Sequence, residues 1–420
     1  MWSFLGRGSV ILVAVVGLAS AAAATPSADA AYFAWVRQCV GGIAQELPGI
    51  TASAQVAAGH FVRDNWDLGA WGEGSFADEF TGRAGGLMPI VAPSTTGGAH
   101  PVIVLYCPHE AHLADDWAAI RAFHAHGDLV IAFTRPELVA EAARAGLKFD
   151  FVVDNHAAPH GGLFPVGLSR RTPEWVVPTD PVANMIGLWT WVGEFVGACT
   201  RLGKMPPMWQ SFMVPGAHGR DTPFIGMRFH AGTPTPIAPG WVGRQYLSSL
   251  RWSLDTLDRL EADHIATAGE EAHAAHVAGH AAYAALTGHS FVELLGCPHD
   301  PGYLTKLVKD WSVQREDITV QRGDFVLCVG YDSPFVGTDF GNLEERARAT
   351  GATVVTSCTD YHPELIAALP PGEMFIDQRW DLGDALVQLP GYDIKVLPPS
   401  GVIGQTILWM VEAKYWQLEQ

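Results

Sequence analysis

The chain is 420 residues long, 48% hydrophobic and 17% charged, enough apolar material for two or three folded domains and too much for a disordered protein. Its formal net charge of −18 argues against non-specific binding to nucleic acid or an anionic membrane, so no nucleic-acid partner is expected. A small anionic ligand is not excluded, because a glycine-rich turn binds through backbone dipoles.

Residues 1–24 read as an export signal, with Arg7 as a basic start, an apolar stretch over 10–18 and small residues over 19–24. The apolar stretch is short of the ~20 residues that span a membrane. The expected location is periplasmic or secreted, with an N-terminal membrane anchor as the alternative.

Residues 32–47 have helical apolar spacing and end at Pro48-Gly49, so one helix is expected there and a second over 51–66. A strand at 68–71 runs into Gly72-Glu73-Gly74-Ser75, and a short helical run follows. In the order strand, turn, helix, glycines let the backbone bend close to a ligand and the helix N-terminus offers free N–H groups to an anion. Ser75 stands at the expected N-cap, and Glu79 lies one turn further on. An ordinary strand-to-helix turn with a solvated Glu79 fits the same spacing.

Further strands are expected at 87–92, 101–106, 128–134 and 151–154, and helices at 111–125, 136–145 and 181–202. This alternation predicts a parallel sheet with helices on both faces. The loops 107–112 and 154–160 follow strand ends, where open α/β sheets bind ligands. They carry His109, His112, His156 and His160, side chains able to exchange protons near neutral pH. Residues 203–243 are rich in proline and glycine and read as a connector; 246–286 reads as helical.

The second half echoes the first. Residues 324–329, 351–356 and 374–377 parallel 101–106, 127–132 and 151–154, at offsets such as 351 − 127 = 224 and 377 − 154 = 223. The domains expected are therefore 31–203 and 244–420, copies of one α/β unit joined by 204–243. His273, His276 and His280 share one helical face with Glu270; they read as a polar stripe, and no metal or cofactor is assigned. The six cysteines form no CxxC pair; a free buried thiol is the default for the three in apolar strand-like runs, and export would make a disulfide possible, with no pairing assigned.

The run Phe76-Ala-Asp-Glu-Phe-Thr-Gly-Arg83 and the continuation to Gly86 resemble the segment after the first phosphate loop of phosphoheptose isomerases. With the doubling, the chain resembles the SIS (sugar isomerase) family. The resemblance implies two tandem three-layer α-β-α domains with flavodoxin-like parallel sheets, a sugar or sugar-phosphate ligand, aldose–ketose isomerisation and a homo-oligomer. It implies Glu79 as the base; the histidine that assists ring opening in those isomerases has no match here, and His109 and His156 are the candidate acids by their place in loops after strand ends. Gly72, Gly74, Ser75, Arg83, His112 and Ser333 would bind substrate. The Ser/Thr-rich loop of SIS enzymes is replaced by Cys107-Pro-His-Glu-Ala-His112 and by Gly330-Tyr-Asp-Ser-Pro-Phe335. Two alternatives follow: a non-catalytic exported binding or scaffold protein, and a metal-dependent enzyme using the histidine-rich loops.

Overall fold

A computed structural model describes residues 26–167, 173–287, 294–310, 313–330, 339–359, 363–367, 369 and 373–420. The expected export segment and Ser333 lie outside them.

The first half opens with helix α1 (Ala28–Gly59). Strand β1 (Asp67–Gly72), the short helix α2 (Gly74–Phe80), β2 (Val102–Cys107), α3 (Leu113–His126), β3 (Leu129–Thr134), α4 (Pro136–Arg144) and β4 (Phe151–Asp154) follow. The four strands form one parallel sheet in the order β1-β2-β3-β4. Local chemistry places the breaks: Gly127 closes α3 in the left-handed region at φ 82°, and Pro136 opens α4. An antiparallel hairpin of β5 (Gly162–Val166) and β6 (Glu174–Pro178) leads into α5 (Asp180–Arg201).

Residues 203–240 hold the short helix α6 (Ala217–Asp221) and a 3-10 turn over Thr222–Phe224 before α7 (Trp241–Val277). The second half then adds β7 (Ala282–Leu286), β8 (Thr305–Lys306), the small antiparallel pair β9 (Val308–Asp310) and β10 (Val313–Gln314), and β11 (Phe325–Val329). It continues with α8 (Asp339–Thr350), β12 (Thr353–Cys358), α9 (Pro363–Ala367) and β13 (Met374–Asp377). It closes with the hairpin of β14 (Val387–Gln388) and β15 (Lys395–Val396) and with α10 (Ser400–Leu418). Its main sheet is also parallel, in the order β8-β7-β11-β12-β13. The α/β architecture with parallel sheets is as expected.

Helices α1, α5, α7 and α10 pack on one another. Helices α5 and α10 are buried along nearly their whole length, as their apolar sequences on all faces require. Trp189, Trp191 and Trp409 are fully enclosed, and all six cysteines are free thiols.

Three local expectations are corrected. Helix α1 runs through Pro48 instead of stopping there; Ile43 and Leu47 before it and Ile50 and Ala54 after it are all buried, so packing outweighs the lost backbone bond. Residues 87–92 form no strand and contribute only an isolated bridge from Leu87 to Met208. Residues 282–286, read as helical from their alanines, are the strand β7, because parallel pairing to β11 and β8 decides their conformation.

The two halves meet along a seam crossed by two loops. The Leu397 N–H donates to the Gly85 carbonyl and the Val177 N–H donates to the His299 carbonyl, each at 2.9 Å. All four residues have positive φ, between 63° and 73°. Beside the first crossing lies a buried ionic cluster. Arg83 donates to Glu79 at 3.1 Å, pairs with Asp384 at 3.0 Å and bonds the Ser400 hydroxyl. Trp189 Nε1 donates to Glu79 at 3.0 Å. Burial pushes the Glu79 and Asp384 carboxyls up against the downward pull of Arg83. Replacing Arg83 by Met strands two buried carboxyls and is expected to cost about 3–5 kcal/mol in urea unfolding. Adding Glu79→Gln and Asp384→Asn to the same chain is expected to recover most of that loss.

Candidate functional site

Strand β1 ends at Gly72, whose φ is 111°. A Cβ there would lie 1.7 Å from the Cys107 carbonyl oxygen at the end of β2, so only glycine allows the two strand ends this close. The chain then turns, and Glu73 rather than Ser75 caps α2. The Glu73 carboxylate accepts from the N–H groups of Ser75 and Phe76 at 3.0 and 2.9 Å and from the Ser75 hydroxyl. The helix N-terminus expected to receive a ligand's anion is thus engaged by the protein's own carboxylate.

Beyond β2, the His109 N–H donates to Asp116 at 2.7 Å, and the Tyr106 hydroxyl donates to the same carboxylate. This fixes the loop so that the His109 and His112 rings stack at 4.4 Å. Beyond β3, Arg135 is 3% exposed and bridges Glu110 of that loop to Asp180 at the start of α5. Asn155 links Asp180 to Asn184, whose amide reaches the Cys107 sulfur at 2.9 Å.

The second half closes this end of the sheet. His299 places Nε2 3.3 Å from Glu110 and Nδ1 2.9 Å from the Trp175 carbonyl. The result is a cleft of about 690 Å³ lined by Gly72, Glu73, Gly74, His109, Glu110, His112 and His299, with the segment 295–298. It sits outside the carboxyl ends of the parallel strands.

The ionisable groups are poised in opposite senses. Burial disfavours a charged His299, but its bonds to Glu110 and the Trp175 carbonyl outweigh that and hold it above the usual histidine value. Burial raises Glu110, but the His299 hydrogen bond and Arg135 pull it below the usual carboxylate range. Both ring nitrogens of His299 face acceptors, an arrangement that an imidazolium satisfies as a double donor. Burial pushes Asp180 up to about 6 against the pull of Arg135.

Of the residues singled out from sequence, Gly72, Gly74, His109 and His112 line the cleft. Ser75 is buried behind it against Glu73. Glu79 and Arg83 are in the seam cluster and do not line the cleft; the apolar face of α2 turns inward and takes Glu79 with it. His156, at φ 56°, turns toward α1 and stands 3.4 Å from Glu46. Among the described residues no three side chains are grouped to hold a metal ion; His273 instead faces Glu419 at 3.3 Å.

Sequence reasoning passed over Glu110, Arg135, Asp180 and His299. One signal was available: Cys107-Pro-His-Glu110 recurs as Cys297-Pro-His-Asp300, and both copies line one small cavity behind the cleft. Their spacing differs from that of the repeated strands, so only the fold brings them together.

The Glu110–His299 pair sets a pH dependence. The raised His299 contributes stability that is complete below about 6.5 and is lost as pH rises through its folded value. The lowered Glu110 contributes stability present above about 4.5 and lost as pH falls through its folded value. In thermal melts at low salt, the destabilisation by Glu110→Gln is therefore expected to peak near about pH 6 and shrink toward about pH 9. A pH-independent difference would contradict the pairing.

No family model matches the sequence, and no curated protein matches it. Solved structures do resemble the fold. A protein of Silicibacter pomeroyi DSS-3 assigned as a phosphosugar isomerase is 13% identical, with a TM-score of 0.48 over 92% of this chain and 98% of that one. The C-terminal domain of glucosamine-fructose-6-phosphate aminotransferase from Francisella tularensis is 9% identical, with a TM-score of 0.45 over 90% and 96%. Tagatose-6-phosphate ketose/aldose isomerase from Escherichia coli is 14% identical, with a TM-score of 0.46 over 94% of each chain.

Proposed function

We propose that the protein binds a carbohydrate derivative in the cleft of Glu73, His109, His112, Glu110 and His299. The observation that carries this is the convergence of these five side chains, from three loops and both halves of the chain, on one polar cleft. Carboxylates accept from sugar hydroxyls and imidazoles both donate and accept, so the lining suits a ligand with many hydroxyl groups. A phosphate on that sugar would be met by His109, His112 and His299, since the N-terminus of α2 is engaged by Glu73. Tandem copies of one unit and an exported location belong to the same proposal. Support for the copies comes from two matched Asx turns, in which the His156 N–H donates to the Asp154 carboxylate and the Arg379 N–H to the Asp377 carboxylate, each at 2.9 Å and 223 residues apart (379 − 156).

In this reading Glu110 is the base and His299 the acid of an aldose–ketose isomerisation, in place of Glu79. Moving a proton between C1 and C2 needs one ionised carboxylate beside one charged donor, and the pair supplies both. A second reading, binding without turnover, is favoured by the Glu73 carboxylate at the expected anion seat.

Calorimetry with neutral, amino- and phosphorylated hexoses and heptoses tests the binding. Affinity is expected to fall at least about tenfold in Glu110→Gln or His299→Ala. Absence of heat with every sugar at about 10 mM would overturn it. Turnover is read separately, as deuterium entering the sugar at C1 or C2 in heavy water. Isomerisation predicts deuterium uptake that Glu110→Gln abolishes; binding without uptake leaves the scaffold reading.

A further inference from the structure

A second pocket lies on the opposite crossing of the seam. It encloses about 250 Å³ between the loop Gly82, Arg83 and Ala84 of the first half, Trp380 and Asp384 of the second, and the connector. It shares no lining residue with the cleft at His109. Trp209, Phe212, Ile225 and Trp380 give it aromatic and aliphatic walls.

The charges around it are already balanced within the chain. Arg83 is held by Glu79 and Asp384. The second carboxyl of the lining, Asp221, accepts from Arg220 at 2.9 Å and from the Gln210 N–H. Both Asp384 oxygens accept from Ser400. No charge is left over for an anion or a cation, and bringing one in would cost desolvation without a partner. What remains available lies outside these ion pairs: the side-chain amide of Gln210 and the imidazole of His218 make no hydrogen bond among the described residues, and both line the pocket.

Phe212 and Ile225 stand at this pocket 74% and 60% exposed. Large apolar side chains held open beside an apolar cavity gain by being covered. The size is just under the range typical of drug-sized ligands, which admits one ring with its substituents and excludes a nucleotide. Aromatic faces carry negative charge density and attract the polarised C–H groups of a pyranose face, while the amide and imidazole are there for its hydroxyls.

We propose that this pocket binds one neutral monosaccharide ring, against Phe212 and the two tryptophans with its hydroxyls on Gln210 and His218. The site is independent of the cleft reading, because it uses none of the same residues.

The test is tryptophan fluorescence of the full chain titrated with neutral methyl hexosides and N-acetylhexosamines, with indole as a planar aromatic control. A saturable change is expected with at least one neutral sugar. It should weaken about tenfold or more in Phe212→Ala and in Gln210→Ala, and persist in Glu110→Gln. Melting temperature without ligand should be little altered by Phe212→Ala, since that side chain is exposed. No sugar response up to tens of millimolar, a response untouched by both substitutions, or a response to indole alone would overturn the proposal. A response lost in Glu110→Gln but kept in Phe212→Ala would assign the sugar to the cleft and equally overturn it.

Discussion

The seam between the halves is the constraint on which the remainder of the molecule depends. Val177 and Leu397 are bulky residues held at positive φ, a conformation that costs on the order of 1–3 kcal/mol each. Each spends that strain on one backbone bond to a loop of the other half. The loops are pinned from both sides, at the first crossing by the Arg83 cluster and at the second by the contacts of His299 with Glu110 and Trp175. These bonds, with the packing of α1 and α5 against α7 and α10, join the two halves.

The cleft is a product of that joining. One half supplies the strand ends with Glu73, His109, His112 and Glu110; the other supplies His299. Neither half alone would give Glu110 its imidazolium partner, and without it the carboxylate would have only Arg135. The same geometry accounts for Glu79. A carboxylate that reads as a ligand-facing group is instead consumed in holding the halves together, with Trp189 and Arg83 as its donors.

Much of the architecture was legible in the chain. The β-branched runs over 101–106, 128–134 and 324–329 coincide with parallel strands, and the proline and glycine between 203 and 243 mark the connector. Of the two loops singled out after strand ends, 107–112 lines the cleft with His109 and His112, while His156 of the other turns toward α1. Local periodicity failed where packing outvoted it. The alanines of 282–286 favour a helix in isolation, yet pairing on both sides makes them a strand. Pro48 ends most helices, yet α1 is buried before and after it. Ser75 is the better N-cap by type, but the helix begins earlier, at Gly74, and Glu73 accepts from the Ser75 and Phe76 N–H groups.

By itself the sequence determined the α/β class, the parallel strands, the echo of one half in the other and the histidine-bearing loops, because those follow from short-range patterns of branched, apolar and turn residues. Only the tertiary structure decided which polar groups face an open cleft and which face one another. Glu79 and Glu110 are both carboxylates near a strand end, and no spacing rule separates them. Arg83 and Trp189 enclose the first, while His299 meets the second from 189 residues away. Burial and pairing across that distance are properties of the fold, and they set which carboxylate is available for chemistry.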